Sequence, residues 1–107
     1  MGSNPTLSAI PLAPASFPRP DMWYVYILRS EKSGQHYVGS TGDLKRRLRE
    51  HQDGHSASTR SLRPLRLEAY IAVREERVAR DLEAYLKTGS GIATLRKRIL
   101  ASEARRA

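Results

Sequence analysis

The sequence predicts a small α+β domain: a three-stranded, mainly antiparallel sheet flanked by helices. Two short runs rich in β-branched and aromatic residues, Tyr24-Val25-Tyr26-Ile27-Leu28 and Tyr37-Val38-Gly39-Ser40, flank the turn-forming stretch Ser30-Glu31-Lys32-Ser33-Gly34-Gln35. That is the sequence form of a β-hairpin. A third run is apolar at every second position through Leu65, Leu67, Ala69, Ile71 and Val73, the period of a strand. Elsewhere apolar residues recur at helical spacing.

Residues 1–21 hold five of the six prolines, Pro5, Pro11, Pro14, Pro18 and Pro20. Proline at that density opposes helix and sheet alike, so a disordered or extended lead-in is expected, with a single domain over 22–107. The lead-in lacks the basic start and continuous apolar core of a secretion signal. Trp23 to Arg29 is the first strand, with Trp23, Val25 and Ile27 on one face and Tyr24, Tyr26 and Leu28 on the other. Both faces are largely apolar, which marks a central strand covered on both sides. His36 to Ser40 is the second strand, with Tyr37 and Gly39 on one face.

Thr41 or Asp43 caps a helix over Leu44 to His51. Leu44 and Leu48 form its buried stripe, and Arg47 and His51 run along one edge of that stripe. Asp53-Gly54 stops the helix, and Gln52 to Pro64 is a loop. Its small hydroxyl residues beside His55 and Arg60 suit phosphate contact. After the third strand, Glu75 to Lys87 forms a helix with Val78, Leu82, Tyr85 and Leu86 as its apolar stripe. Thr88-Gly89-Ser90-Gly91 breaks it, and a last helix spans Ile92 to Ala104.

The chain of 107 residues carries 19 Lys and Arg against 11 Asp and Glu, a net charge of +8. That excess favours an anionic polymer as partner. There is no cysteine, which excludes disulfides and thiolate metal sites and fits a reducing, cytoplasmic setting. No apolar run approaches the roughly 20 residues needed to cross a bilayer, so no membrane partner is expected.

The two tyrosine motifs acquire weight from residues downstream of them. Arg47 stands eight residues after Gly39, His51 comes four later, and Glu83 lies in the later helix within Ala79-Arg80-Asp81-Leu82-Glu83. In this order the chain resembles the GIY-YIG nuclease domain, in its small single-domain form, over Met22 to about Leu100. Tyr24-Val25-Tyr26 corresponds to the family's first motif, with Tyr24 in place of its glycine, and Tyr37-Val38-Gly39 to the second. The resemblance implies that Tyr26, Tyr37, Arg47 and His51 are catalytic. It adds His55 as a loop histidine found in part of the family, and Glu83 as the single metal ligand. The late asparagine of many members is missing; either Ser90 or Lys87 replaces it, or this branch lacks that brace.

Residue chemistry fits those roles. Glu83 is a hard oxygen ligand suited to one Mg²⁺, or Mn²⁺, that keeps most of its waters. Arg47 can grip phosphate oxygens bidentately at any working pH. A tyrosine ordinarily titrates near about 10, and Arg47 with a metal-bound water is expected to lower that value and make Tyr26 or Tyr37 a general base. His51 either shares the proton or orients a tyrosine hydroxyl. Arg60, Arg63 and Arg66, with Arg96 and Lys97 on the last helix, are candidate backbone contacts. The implied activity is metal-dependent hydrolysis of phosphodiester bonds in DNA. Single-stranded or branched DNA suits a shallow, open site, and RNA is left open.

Taken singly, each residue has an ordinary reading. The tyrosines can be plain strand aromatics, His51 a helix-end cap, and Glu83 the surface partner of Lys87 four residues on. There are two rival functions: a catalytically weak nucleic-acid-binding module on the same fold, and a protein-interaction domain with incidental charge.

Overall fold

The computed structural model describes residues 18–100. Expectations for residues 1–17, and for the last helix beyond Leu100, lie outside the described residues. Three strands, β1 (Trp23–Ser30), β2 (His36–Thr41) and β3 (Leu65–Val73), form one sheet in the order β2-β1-β3. Both pairings are antiparallel. Three helices accompany it: α1 (Leu44–Gln52), α2 (Glu76–Leu86) and α3 (Gly89–Thr94), the last continued by a π-helical turn over Leu95–Ile99. The fold is α+β, as the sequence predicts.

β1 is central and is covered on both sides. Val25 and Ile27 pack with Val38, Ala79, Leu86, Leu95 and Leu100, under α2 and α3. Tyr24, Tyr26 and Leu28 pack on the other face with Leu44 of α1 and Leu65. Within the expected lead-in, the Arg19 N–H donates to the Tyr24 hydroxyl at 2.6 Å, and Arg19 pairs with Asp21.

The alternating stripe expected on β3 is split between the two faces. The β1–β3 register shifts between Ile27 and Leu28: Ala69 lies opposite Ile27, but Leu67 lies opposite Leu28. Glu68 is therefore the extra residue of a β-bulge, and a bulge reverses which face the following side chains take. Ala69 and Val73 consequently join the core under α2, whereas Leu65 joins the cluster under α1. Gln52 fixes the start of β3, since its side-chain amide exchanges two 3.1 Å hydrogen bonds with the Leu65 backbone.

The stripe on α2 is also rotated from the expected one. Ala79 and Leu86 are buried and Leu82 packs beside them, but Val78 and Tyr85 are 45% and 44% exposed. Ala79 is small enough to let the helix approach the sheet, and Val78 and Tyr85 lie roughly 100–120° round the helix from it. The consequence is functional, because the Ala79 face also carries Glu83.

Thr88 ends one helix and begins the next. Its hydroxyl accepts from the Gly91 N–H at 3.0 Å, so α3 starts at Gly89 and not after Gly91. Gly91 is buried, and a Cβ there would collide with the Tyr85 carbonyl oxygen and Leu86 Cα. Gly91 permits close helix packing where the sequence suggested a break.

Candidate active site

Tyr26 and Tyr37 face the same side of the sheet, their ring centroids 6.5 Å apart. Gly39 lies opposite Tyr26 in the β1–β2 register. A Cβ at Gly39 would sit 2.5 Å from the Tyr26 hydroxyl oxygen, so the motif glycine makes room for the phenol. Asp43 caps α1, its side chain accepting from the Arg46 N–H at 3.1 Å. One face of that helix then delivers Leu44, Arg47, Leu48 and His51 toward the tyrosines.

His51 is 1% exposed and links two hydroxyls. Its Nε2 lies 2.8 Å from the Tyr26 oxygen, and its Nδ1 lies 2.7 Å from Thr59 Oγ1. Burial, reinforced by the Arg47 charge, lowers the His51 pKa to about 4, so the ring is neutral near pH 7 and carries one N–H. Burial raises the Tyr26 pKa to about 12, outweighing the contrary pull of Arg47. Arg47 by itself therefore does not carry Tyr26 below its ordinary value: desolvation outweighs it. With a protonated phenol and a neutral imidazole, every group is satisfied when Tyr26 donates to Nε2 and Nδ1–H donates to Thr59.

Arg47 lies beside the Tyr26 hydroxyl and is held by Glu50 through a 2.9 Å bond to Oε1. That carboxylate, followed by Tyr26, raises the Arg47 pKa and keeps the guanidinium charged. Arg47 remains about one-third exposed, which leaves it reachable from solvent.

Ser40 is paired with Val25 in the strand register and so faces α2. Its hydroxyl donates to Glu83 Oε1 at 2.5 Å, and Lys87 Nζ donates to Oε2 at 2.7 Å. Burial pushes the Glu83 pKa up, but the Lys87 and Ser40 hydrogen bonds leave it below the ordinary value, so the carboxylate is ionised. The Lys87 ammonium also lies 5.5 Å from the Tyr37 ring centroid. The two halves of the site thus occupy opposite faces of the sheet and meet around the edge strand β2, with Lys87 bridging them.

Residues 22–96 match the family model of the GIY-YIG catalytic domain. The chain belongs to the GIY-YIG family. It is similar to a UPF0213 protein of Aeromonas hydrophila, 40% identical over 78 residues that cover 72% of this chain and 57% of that protein. A UPF0213 protein of Cupriavidus pinatubonensis is 43% identical over 51 residues, 47% of this chain and 56% of that one. The chain thus spans under three-fifths of the length of either relative. Its fold is of the nuclease type that GIY-YIG domains use on nucleic acids.

On this GIY-YIG scaffold the structure brings together Tyr26, Tyr37, Arg47, His51 and Glu83. His55 is exposed on the loop, where its N–H bonds the Glu50 carbonyl at 2.9 Å. Arg60 and Arg63 reach backbone carbonyls of Gly54, Arg60 and Gln52 and so brace that loop, while Arg66 pairs with Glu68. Arg96 and Lys97 are exposed beside the end of α3. The loop hydroxyls expected to meet phosphate divide: Ser58 is exposed, but Ser56 and Thr59 are buried.

Thr59, Ser40 and Glu50 complete the constellation, and the sequence alone does not single them out. Ser40 directly follows the second motif, and that adjacency is the one available signal. Thr59 gives none, since its role depends on how the loop folds over His51. Among the described residues no three His, Cys, Asp or Glu side chains stand together as a metal cluster. Glu83 offers one ionised carboxylate whose Oε2 already holds a cation, the Lys87 ammonium. Such a donor fits a single hard, mostly hydrated divalent ion and no closed coordination cage.

The buried imidazole makes stability depend on pH. The ordinary His51 value of 6.5 falls to about 4 in the fold, so between these values the unfolded chain binds a proton that the folded chain excludes. Stability is then fully present above 6.5 and is lost as pH falls toward 4, by up to about 3 kcal/mol. Urea unfolding across that window, beside the non-titrating His51→Gln, checks the sign. A wild type that loses no more than the variant removes His51 as the cause.

Proposed function

We propose that this chain is a nuclease that hydrolyses phosphodiester bonds in DNA, with single-stranded or branched DNA as substrate. The observation that carries the reading is the buried Tyr26–His51–Thr59 line beside Arg47, with the ionised Glu83 across β2. In this reading Tyr26 is the general base and His51 is the sink for its proton. The attacking water passes a proton to the Tyr26 oxygen while the phenol proton moves to His51 Nε2. A free phenolate, costly for a group titrating at about 12, is never required.

Arg47 couples binding to that transfer. Its charge adds to burial in depressing the His51 pKa, so a phosphate that pairs with Arg47 offsets that added part and makes His51 a better acceptor. Arg47 swings from Glu50 to the phosphate and stabilises the charge that develops there. Tyr37 forms the wall against which the Tyr26 and His51 rings pack, at 6.5 and 5.4 Å between centroids. Glu83 would hold one Mg²⁺ or Mn²⁺ in place of the Lys87 contact, and that ion would neutralise charge on the phosphate and leaving oxygen. His55, Arg60, Arg63, Arg66, Arg96 and Lys97 form the surrounding basic surface for the nucleic-acid backbone.

A cleavage assay tests this directly, on end-labelled single-stranded, duplex and forked DNA with Mg²⁺, Mn²⁺ or EDTA. Cutting is expected only with a divalent ion, and Arg47→Ala should lower it by about a hundredfold. No cutting by either protein, with binding that still weakens steeply as salt rises, would establish the binding module in its place.

A further inference from the structure

A pocket of about 400 Å³ opens along the outer edge of β2, between the hairpin turn and α3. Its walls are mainly apolar, from Val38, Leu86, Ile92 and Leu95, and its rim carries the cations Lys87 and Arg96. No acidic side chain lines it among the described residues. Tyr37 and Lys87 belong both to this pocket and to the candidate active site. His36 also lines it, and its buried Nε2 has no hydrogen-bond partner among the described residues. An orphaned buried polar atom is uncommon and needs an explanation.

We infer that this pocket is a nucleobase subsite, taking the unpaired base next to the phosphate that Arg47 and Glu83 address. The volume lies within the range of small-ligand sites. Apolar walls suit the π face of any base, and the lining His36 carries the unpartnered Nε2. The two rim cations complement the flanking phosphates, which distinguishes a nucleotide from an uncharged apolar ligand. A base held in a duplex is stacked and paired and cannot enter. The subsite therefore supplies a physical reason for selecting single strands or the unpaired arm of a fork. The inference rests on the nuclease reading for its biological setting, but the pocket is testable without cleavage.

The probe is deoxyadenosine monophosphate, titrated into the full chain and followed by NMR, with 2-deoxyribose 5-phosphate as the base-free control. Shifts at His36, Tyr37 and Ile92 are expected with the nucleotide alone, and Ile92→Ala, which removes one apolar wall outside the catalytic set, should weaken that binding about tenfold. In cleavage, the same variant should raise KM for a single strand about tenfold, with kcat unchanged. It should have no effect on a strand whose neighbouring nucleotide is abasic. Nucleotide binding without any cleavage would keep the subsite and sink the nuclease reading. Equal shifts with nucleotide and sugar phosphate, or pocket resonances that respond to removal of residues 101–107 and not to nucleotide, would overturn the subsite.

Discussion

Glu83→Gln is expected to lower divalent-ion-dependent cleavage by about a thousandfold, the upper end for loss of one preorganised electrostatic group. The fold should survive it. Glutamine keeps the size of the side chain and an acceptor for the Ser40 hydroxyl at Oε1. What disappears is the charge at Oε2 and with it the Lys87 pair, a partly exposed contact spaced i,i+4. Such pairs contribute only about 0.3–0.5 kcal/mol. Circular dichroism and the urea midpoint should accordingly stay close to wild type while cutting collapses. Lys87→Met supplies the discriminating comparison. If Lys87 competes with the divalent ion for Glu83, Lys87→Met should reach half-maximal cutting at lower Mg²⁺. If the ammonium is itself the working cation, Lys87→Met should fail as badly as Glu83→Gln and EDTA should change nothing. That second pattern would overturn the metal assignment and leave Glu83 as the positioner of a lysine.

The legibility of this chain tracks the range of the interactions involved. Hairpin, central strand and capped α1 are local: the continuous apolar run of β1 and the Asp43 cap need no distant partner to be read. The tyrosines, Arg47, His51 and Glu83 are legible because they repeat a family spacing and because strand and helix periods turn the first four toward one face. Features set by non-local packing are not. The bulge at Glu68 depends on how β3 seats against β1, and it redirects Leu65 with no mark in the apolar pattern. The true stripe of α2 passes through Ala79, a residue with too little apolar surface to announce itself, so the larger Val78 and Tyr85 draw the expectation instead. Thr59 reads as loop polarity until Ser56 to Leu62 folds over His51. The direction of the Tyr26 pKa is illegible for the same reason, since the Arg47 charge can be read from spacing but the depth of burial cannot.

Tyr26→Phe is expected to reduce the cleavage rate by about 10²–10⁴-fold, the usual contribution of a positioned acid–base group. Phenylalanine preserves the ring against Tyr37 and His51, so the lost atom is the hydroxyl alone. Removing it also leaves His51 Nε2 buried without its 2.8 Å partner, which costs about 1–3 kcal/mol of stability. A loss of rate could then be blamed on the fold. Thr59→Val separates the two causes, because it strips the 2.7 Å partner from Nδ1 at a similar cost while the phenol stays in place. The relay predicts a much smaller rate loss for Thr59→Val, and equal losses would reduce Tyr26 to a structural role. The pH profile adds an independent check. The active form needs a protonated Tyr26 and a neutral His51, which coexist from about 4 to about 12. In kcat/KM, which reports the free enzyme, activity should therefore be level across neutral pH, falling on the acid side only as His51 is protonated near 4. An acid limb centred near 6.5 would mean that His51 titrates as an ordinary, solvated histidine, and a proton relay through a buried neutral imidazole could not stand.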